Sequence, residues 1–146
     1  MITCVIFDFN RTLYLTELQR IPETALQLLK TLKAQRKKLV LWTIQEADRQ
    51  RTIATIAPFF SLIKEVPAKS TEDLLDILSK LCLAKEHVIV VGDRINSEIA
   101  IANELSIKTV WYRAGKFRNE TPQSEDEKPT FIIKHLDEIL SILPHL

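Results

Sequence analysis

Four short runs of mainly aliphatic residues constrain the fold of this chain more than any other feature. They lie at residues 3–7, 38–42, 87–91 and 107–111, and each is apolar on both of its faces. Strands of this kind are typical of a parallel sheet that is covered on both sides by helices. Residues 62–65 are a shorter strand candidate, and residues 130–133 are a late one.

Stretches with helical spacing separate these runs. Pro22 can occupy the first turn of one helix, whose apolar face is formed by Ala25, Leu28, Leu29 and Leu32. Ser70 and Asp73 have the spacing of a capping box at the start of another helix. Further helices are expected at residues 45–57, 97–105 and 136–143.

The alternation of strand and helix signals predicts the fold class. It indicates an α/β fold, a Rossmann-like three-layer sandwich with a central, mainly parallel sheet and right-handed crossovers. The length of 146 residues is near the common size of one domain. We therefore expect a single domain over residues 1–146.

Polar residues of particular types follow the strand candidates. In chain order, the residues that follow the first four candidates are Asp8, Thr43, Lys69 and Asp93, and Glu98 lies five residues beyond Asp93. These side chains are expected to converge, because ligands of an open parallel sheet bind beyond the carboxyl ends of its strands. Two carboxylates there can hold Mg²⁺, which prefers oxygen ligands. An ammonium and a hydroxyl can hold a phosphate, and one carboxylate could attack phosphorus.

Each of these residues also has a simpler interpretation on its own. Asp8 could merely end a strand, and Lys69 could be a solvated lysine. Thr43 and Asp93 could cap the helices that follow them, since short motifs often match by chance. The occurrence of all four residue types in this order favours a phosphoryl-transfer site.

Four segments of the chain resemble the motifs of the haloacid dehalogenase superfamily. VIFDFNRTL at residues 5–13 resembles the first motif, a hydrophobic strand followed by Asp-x-Asp-Gly-Thr-Leu/Val. LVLWT at residues 39–43 is similar to the second, and Lys69 in VPAKS lies where the third-motif lysine would lie. Residues 88–117 resemble the fourth, Gly-Asp followed shortly by another acid, and then the next helix and strand. The resemblance covers nearly the whole chain.

This resemblance implies a role for each matched position. Asp8 would be the nucleophile and would form an aspartyl-phosphate. The ligands of Mg²⁺ would be the Asp8 carboxylate, the Asn10 backbone carbonyl and Asp93. Thr43 and Lys69 would hold the phosphate.

The resemblance also implies a supporting residue. Glu98 would orient Lys69 or a metal-bound water. Lys64 and Lys80 are alternatives for the third-motif lysine, but Lys64 lies inside a strand candidate and Lys80 lies deep in the following helix.

Asn10 is the most serious departure from the family pattern. The family's phosphatases have an aspartate there, which protonates the leaving group and later activates water. An amide can form hydrogen bonds but cannot act as a general acid or base, a step that contributes about 10²–10⁴ in rate. The sequence therefore predicts a slow, Mg²⁺-dependent phosphohydrolase (phosphomonoesterase type). The alternative is a catalytically inactive module that binds phosphate or metal.

Arg11 is the second departure, because the family has glycine at this position. Arginine could be tolerated if the turn keeps a negative φ. Its guanidinium would then either contact an incoming phosphate or point to solvent.

The spacing of the motifs leaves no room for a cap domain. A helix takes up much of the segment after each of the first two motifs, so the site should be open to water unless an oligomer or a partner covers it. A phosphorylated substrate could therefore be large. Residues 115–129 are polar and are expected to form an exposed loop. Lys116 or Arg118 could reach a substrate phosphate from this loop, or simply be exposed.

Charge and hydropathy give no sign of nucleic acid or of a membrane as a partner. The net charge of +1 does not indicate nucleic acid as a partner. No apolar run approaches the roughly 20 residues of a membrane span, and the first apolar run ends at once in Asp8, unlike a signal peptide. We expect a cytoplasmic protein without a membrane partner.

Overall fold

A computed structural model describes residues 1–146 and contains one six-stranded sheet. All strand pairs in the sheet are parallel, and their order is β3-β2-β1-β4-β5-β6. The strands are β1 (Cys4–Phe7), β2 (Lys38–Ile44), β3 (Leu62–Val66), β4 (Val88–Gly92), β5 (Lys108–Tyr112) and β6 (Phe131–Ile133). The α/β prediction is thus confirmed, and the sheet is entirely rather than mainly parallel.

Five α-helices connect and cover the strands. They are α1 (Glu23–Ala34), α2 (Gln50–Ile56), α3 (Thr71–Lys80), α4 (Ala100–Glu104) and α5 (Ile139–Ile142). The predicted capping box at the start of α3 is present, with Ser70 and Asp73 exchanging side-chain and backbone hydrogen bonds. None of the helices combines the length and the hydropathy that a membrane span requires.

Both faces of the sheet are buried, as the doubly apolar runs predict. Along β1, Val5 and Phe7 belong to a cluster of 21 buried hydrophobic residues. Cys4 and Ile6 point the other way, into a second cluster of 11. Helices α1, α2 and α5 contribute to the first cluster, and α3 and α4 contribute to the second. The result is the expected three-layer sandwich, because neither face of the sheet is left to water.

The strand order reverses direction at one place in the sheet. The chain builds outward from β1 through β2 to β3, and then returns to place β4 on the other side of β1. In such a sheet a crevice forms beyond the carboxyl ends of the two strands that flank the reversal. Here those strands are β1 and β4, which Asp8 and Asp93 follow directly.

Three local features differ from the sequence expectations. β2 extends to Ile44, so Thr43 lies inside the strand rather than after it. The helix expected at 97–105 starts with a π-turn over Ile95–Ile99, in which Ser97 leaves helical geometry (φ −124°, ψ −111°). The expected loop at 115–129 contains two 3₁₀ turns, Gly115–Phe117 and Glu125–Glu127.

Candidate active site

A buried ion pair links the ends of two distant segments. Asp8 follows β1, and its backbone N–H donates to the carbonyl of Val91 on β4 (3.0 Å), which fixes the start of the loop. Lys69 Nζ lies 2.6 Å from Asp8 Oδ1 and 3.3 Å from Glu98 Oε2. The Lys69 side chain is only 5% exposed. The structure therefore brings together three of the predicted site residues through direct contacts.

The N-terminus of α3 holds Lys69 in this position. Asp73 Oδ2 accepts a hydrogen bond from the backbone N–H of Ser70 (2.9 Å) and another from Trp42 Nε1 (3.1 Å). The Lys69 ammonium lies 5.0 Å from the centroid of the Trp42 ring, within the range of a cation–π contact. The sequence showed the Ser70–Asp73 cap, but it gave no sign that Trp42 on β2 joins it.

Glu98 organises the loop that follows β4. Its Oε1 accepts hydrogen bonds from the backbone N–H groups of Asp93 (3.0 Å) and Arg94 (3.2 Å), while Oε2 faces Lys69. Gly92 makes this packing possible, because a Cβ at that position would lie 2.2 Å from Glu98 Cγ. Of the two predicted roles for Glu98, this geometry favours the orientation of Lys69.

Burial and neighbouring charges shift the pKa values of the three acids in different directions: those of Asp8 and Asp93 rise, whereas that of Glu98 falls, because Lys69 and backbone donors outweigh its burial. Burial and the charge of Glu98 raise the pKa of Asp8 to about 6, although Lys69 opposes the shift. Burial, together with Asp8 and Glu98, raises the pKa of Asp93 to about 9. Burial opposes the charge of Lys69, but Asp8 and Glu98 raise its pKa above the ordinary range. Three carboxyl groups thus share one ammonium.

The donor set fits a divalent cation. One oxygen each from Asp8, Asp93 and Glu98 lie within 4.8 Å of one another. Asp93 Oδ2 is buried without a hydrogen-bond partner, which is costly unless another group satisfies it. Both oxygens of Glu98 are occupied by protein donors. Asp8 Oδ1 pairs with Lys69, and its Oδ2 accepts only a long hydrogen bond from Thr12 Oγ1 (3.4 Å). Asp8, through Oδ2, and Asp93 are therefore the carboxylates that could hold a hard cation such as Mg²⁺.

Asn10 is held by two residues of the segment that follows β2. Its Nδ2 donates to Glu46 Oε1 (2.5 Å), and its Oδ1 accepts from Arg49 Nε (3.1 Å). The Arg49 guanidinium also lies 4.8 Å from the centroid of the Tyr14 ring. The Asn10 side chain is thus fixed at both ends of its amide. No spacing in the sequence indicated Glu46 or Arg49.

Arg11 adopts the left-handed conformation, with φ of 61°, so the condition of a negative φ, under which the sequence would tolerate arginine here, is not met. The turn is tight, because the carbonyl of Phe9 accepts hydrogen bonds from the three N–H groups of residues 12–14. Arg11 thus adopts a conformation that glycine tolerates more readily than other residues. The guanidinium does not point freely to solvent, because it lies 5.3 Å from the centroid of the Phe117 ring.

Thr43 lies at the same edge of the sheet but outside the ion-pair group. It is buried, and its Oγ1 donates to the carbonyl of Ile44 (3.3 Å). Lys64 and Lys80, the alternatives for the third-motif lysine, both pair with Asp76 on the outer side of α3. Lys69 is the lysine that reaches the carboxyl groups.

Comparison with known proteins identifies one matching family. The HAD-hydrolase-like family profile matches residues 69–139, about half of the chain. A glyceraldehyde 3-phosphate phosphatase from Methanopyrus kandleri is 31% identical over 72 residues, which are 49% of this chain and 31% of that protein. The chain thus spans less than a third of this relative.

Solved structures match the fold over more of the chain. A predicted phosphoglycolate phosphatase from Haemophilus somnus has a TM-score of 0.80 at 17% identity, covering 97% of this chain and 98% of that one. The HAD-hydrolase YfnB from Bacillus subtilis, bound to magnesium, has a TM-score of 0.70 at 20% identity, with coverage of 84% and 56%. At such identities these similarities establish the fold alone.

Proposed function

Because this chain belongs to the haloacid dehalogenase-like hydrolase superfamily, we propose that it is a Mg²⁺-dependent phosphomonoesterase. The observation that carries the proposal is the contact of Lys69 Nζ with Asp8 Oδ1 at 2.6 Å, inside a group of three buried carboxyls. A carboxylate nucleophile, a fixed cation and a second acid at one edge of the sheet suit phosphoryl transfer. The phosphatase relatives support the same reaction class.

Asp8 is the proposed nucleophile. An oxygen of its carboxylate attacks phosphorus, the bond to the leaving alkoxide breaks, and an aspartyl-phosphate forms on Asp8. Water then attacks that phosphorus and releases inorganic phosphate, which restores the carboxylate. Asp8, Asp93 and the backbone carbonyl of Asn10 would hold Mg²⁺, whose charge would balance that of the phosphate oxygens.

Lys69 and Thr43 are the proposed phosphate ligands. The ammonium of Lys69 is fixed by Glu98 and by the Trp42 ring, so little reorganisation is needed when a phosphate arrives. Thr43 must turn its hydroxyl away from the carbonyl of Ile44 to donate to a phosphate oxygen. Arg11 is a further candidate ligand, since it lies three residues beyond Asp8 in the same loop.

The proton-transfer step is the weak part of this mechanism. Asn10 cannot protonate a leaving group, and its amide is already bound to Glu46 and Arg49. We therefore expect slow hydrolysis that is fastest for esters whose leaving group needs no proton, such as aryl phosphates. An alkyl phosphate should react far more slowly.

The test is hydrolysis of para-nitrophenyl phosphate with and without Mg²⁺. The parent protein should release nitrophenol only with the metal, and Asp8→Asn should abolish the release. Asp137→Asn, which changes an exposed aspartate near the C-terminus, is the matched control and should retain the parent rate. Parent-like activity in Asp8→Asn would exclude Asp8 as the nucleophile.

The second candidate function is a silent module that binds phosphate or metal. The observation that favours it is that hydrogen bonds hold both ends of the Asn10 amide, a group that has no acid or base to contribute to a reaction. This candidate requires no turnover on a panel of phosphate esters, together with stabilisation against heat by Mg²⁺ or phosphate. Nitrophenol release that depends on Asp8 would rule it out.

The absence of an inserted cap also bears on the substrate. The segments after β1 and β2 contain only turns and single helices before the next strand. We propose that residues 1–146 act as one domain with an open site, which accepts phosphate groups on large molecules. A second subunit or a partner could cover this edge.

A further inference from the structure

Three cations surround the ring of Phe117. The guanidinium of Arg94 lies 4.0 Å from the ring centroid, that of Arg11 lies 5.3 Å away, and Lys116 Nζ lies 5.4 Å away. Arg11 belongs to the loop that carries Asp8, and Arg94 follows Asp93 directly. Phe117 therefore packs over the two loops that build the proposed site.

The arginines of this group are incompletely paired. The Nε atoms of Arg11 and Arg94 are both buried without a hydrogen-bond partner. The acid in contact with Arg94 is Glu120, whose Oε2 lies 3.5 Å from Arg94 Nη2. The Oε1 of Glu120 is also buried without a hydrogen-bond partner. Unsatisfied buried donors cost stability. A buried donor without a partner in a native structure calls for an explanation, and a bound ligand, ion or water is one such explanation.

A surface cavity of about 520 Å³ adjoins the same loop. Its charged lining residues are Arg113, Arg118 and Lys134, and no acidic residue lines it. Arg113 follows β5 and Lys134 follows β6, so the cavity opens at the carboxyl edge of the sheet, as the proposed site does. The Nε of Arg113 donates to the carbonyl of Arg118 (2.8 Å), which holds the loop against the strand end.

We propose that these cations form a second anion subsite, which selects phosphomonoesters carrying another negatively charged group, a phosphate or a carboxylate. The subsite consists of Arg94 and Lys116 at Phe117 and of the cavity residues Arg113, Arg118 and Lys134. This inference rests on the proposed phosphatase function. It names the substrate class of that site.

The balance of charges indicates that these cations bind a second anion and not the phosphate that reacts. Lys69 and a bound divalent cation together offset the three site carboxyls, and the phosphate that reacts can be served by Lys69 and Arg11. The five subsite cations remain, against the single contacting acid Glu120. Guanidinium groups bind carboxylates and phosphates through two parallel hydrogen bonds. Contact with the Phe117 ring orients two of these five cations, Arg94 and Lys116, in advance.

Matched substrate pairs test the subsite. The first pair is glycerol 3-phosphate and 3-phosphoglycerate. The second pair is fructose 6-phosphate and fructose 1,6-bisphosphate, in which the added charge lies further from the first phosphate. The parent should prefer the more charged member of at least one pair by about tenfold in kcat/KM, the effect of one charge-assisted hydrogen bond. The double variant Arg94→Gln/Arg118→Gln should reduce that preference to about threefold or less. Lys33→Gln, on the exposed face of α1, should retain it.

A parent protein that hydrolyses para-nitrophenyl phosphate but shows no preference in either pair would overturn the subsite and leave the phosphatase function standing. A preference that persists in a correctly folded double variant would overturn it as well. If no ester is hydrolysed, the proposed function fails, and calorimetry then tests whether the subsite binds an anion. Without metal, methylenediphosphonate should then bind the parent about tenfold more tightly than the double variant, and equal affinities would overturn the subsite.

Discussion

The side chain of Asn10 forms hydrogen bonds with its neighbours that suit an amide better than a carboxylate. Its amide donates to Glu46 and accepts from Arg49, a pairing that a carboxylate cannot reproduce at both ends. An aspartate at this position would place two carboxyl groups at hydrogen-bond distance. Like charges so close raise one of the two pKa values, and a raised carboxyl pKa is what a general acid needs near neutral pH.

We therefore expect Asn10→Asp to accelerate the hydrolysis of an alkyl phosphate by at least about tenfold, with a smaller gain on an aryl phosphate, because only the alkyl leaving group needs a proton. The variant should also lose about 1 kcal/mol of stability with the hydrogen bond to Glu46. Steady-state rates on both esters and denaturant unfolding measure the two effects.

The double variant Asn10→Asp/Glu46→Gln is the control for that experiment. The amide that it introduces in place of the Glu46 carboxylate can donate to the new carboxylate, so the lost stability should return while the pKa of that carboxylate stays low. The gain on the alkyl ester should then be smaller than in the single variant. Equal rates in parent and Asn10→Asp would contradict this account of residue 10.

We expect the affinity of the proposed site for Mg²⁺ to depend on the protonation of Asp93. With its pKa raised to about 9, chiefly by burial, Asp93 is protonated at pH 7 without a metal. A metal needs the carboxylate, so Mg²⁺ binding at pH 7 should release close to one proton, and affinity should rise about tenfold per pH unit until the pH reaches that pKa. Calorimetry in buffers of different ionisation enthalpy measures the proton. Binding without proton release would contradict the raised pKa.

The residues of the candidate site were predictable to different degrees. Asp8, Lys69 and Asp93 were expected there because each follows a strand signal in chain order, and Glu98 because it lies five residues beyond Asp93. Glu46, Arg49 and Phe117 could not be identified. Their roles depend on contacts between loops far apart in the sequence, and such contacts leave no periodicity or spacing. Arg11 shows a second limit, because the residue type argued against the positive φ that the turn imposes.

Among the secondary-structure elements, α3 has the most direct effect on the site. Its first turn is tied to β2 through the Trp42–Asp73 hydrogen bond, and Lys69 immediately precedes its capping residue. The position of the ammonium is therefore set by how α3 begins. A substitution in the cap should therefore alter the rate of the reaction, although the cap does not contact the substrate.

We expect Asp73→Ala to cost about 2 kcal/mol of stability, because both the helix cap and a buried hydrogen bond are lost. Activity on an aryl phosphate should fall as Lys69 loses its fixed position. Glu72→Ala, which removes an exposed acid from the same turn, should change stability by less than about 0.5 kcal/mol. Thermal unfolding and steady-state kinetics compare the two variants. Similar effects from both would mean that only the helix dipole is involved.

Element type was easier to predict than element boundaries. All six strands were expected within one or two residues, because runs that are apolar on both faces are clear signals. The start of α4 was not predicted correctly. Glu98 binds the backbone of residues 93 and 94, which draws the chain into a π-turn before the helix begins. That distortion accompanies hydrogen bonds from a side chain to the backbone of its own turn, which apolar periodicity does not reveal.

At the scale of the whole molecule, the site lies at the edge of the sheet where the strand order reverses, with no inserted domain above it. Substrate size should therefore matter little. We expect kcat/KM for a long phosphoserine peptide to stay within about threefold of that for N-acetyl-phosphoserine amide, which carries the same charge at the phosphoserine, since no cap must close. A strong preference for the small amide would indicate that another subunit or partner encloses the site.

The pairing of Lys69 with Asp8 joins residues 61 positions apart, and Asp93 comes from still further along the chain. No fragment that contains only the first three strands can assemble this group of charges. The carboxyl groups also repel one another until the ammonium arrives. During refolding, the chain must therefore form the long crossover from β3 to β4 before it can be active. The recovery of activity should then report the formation of the complete sheet rather than the early collapse of the chain.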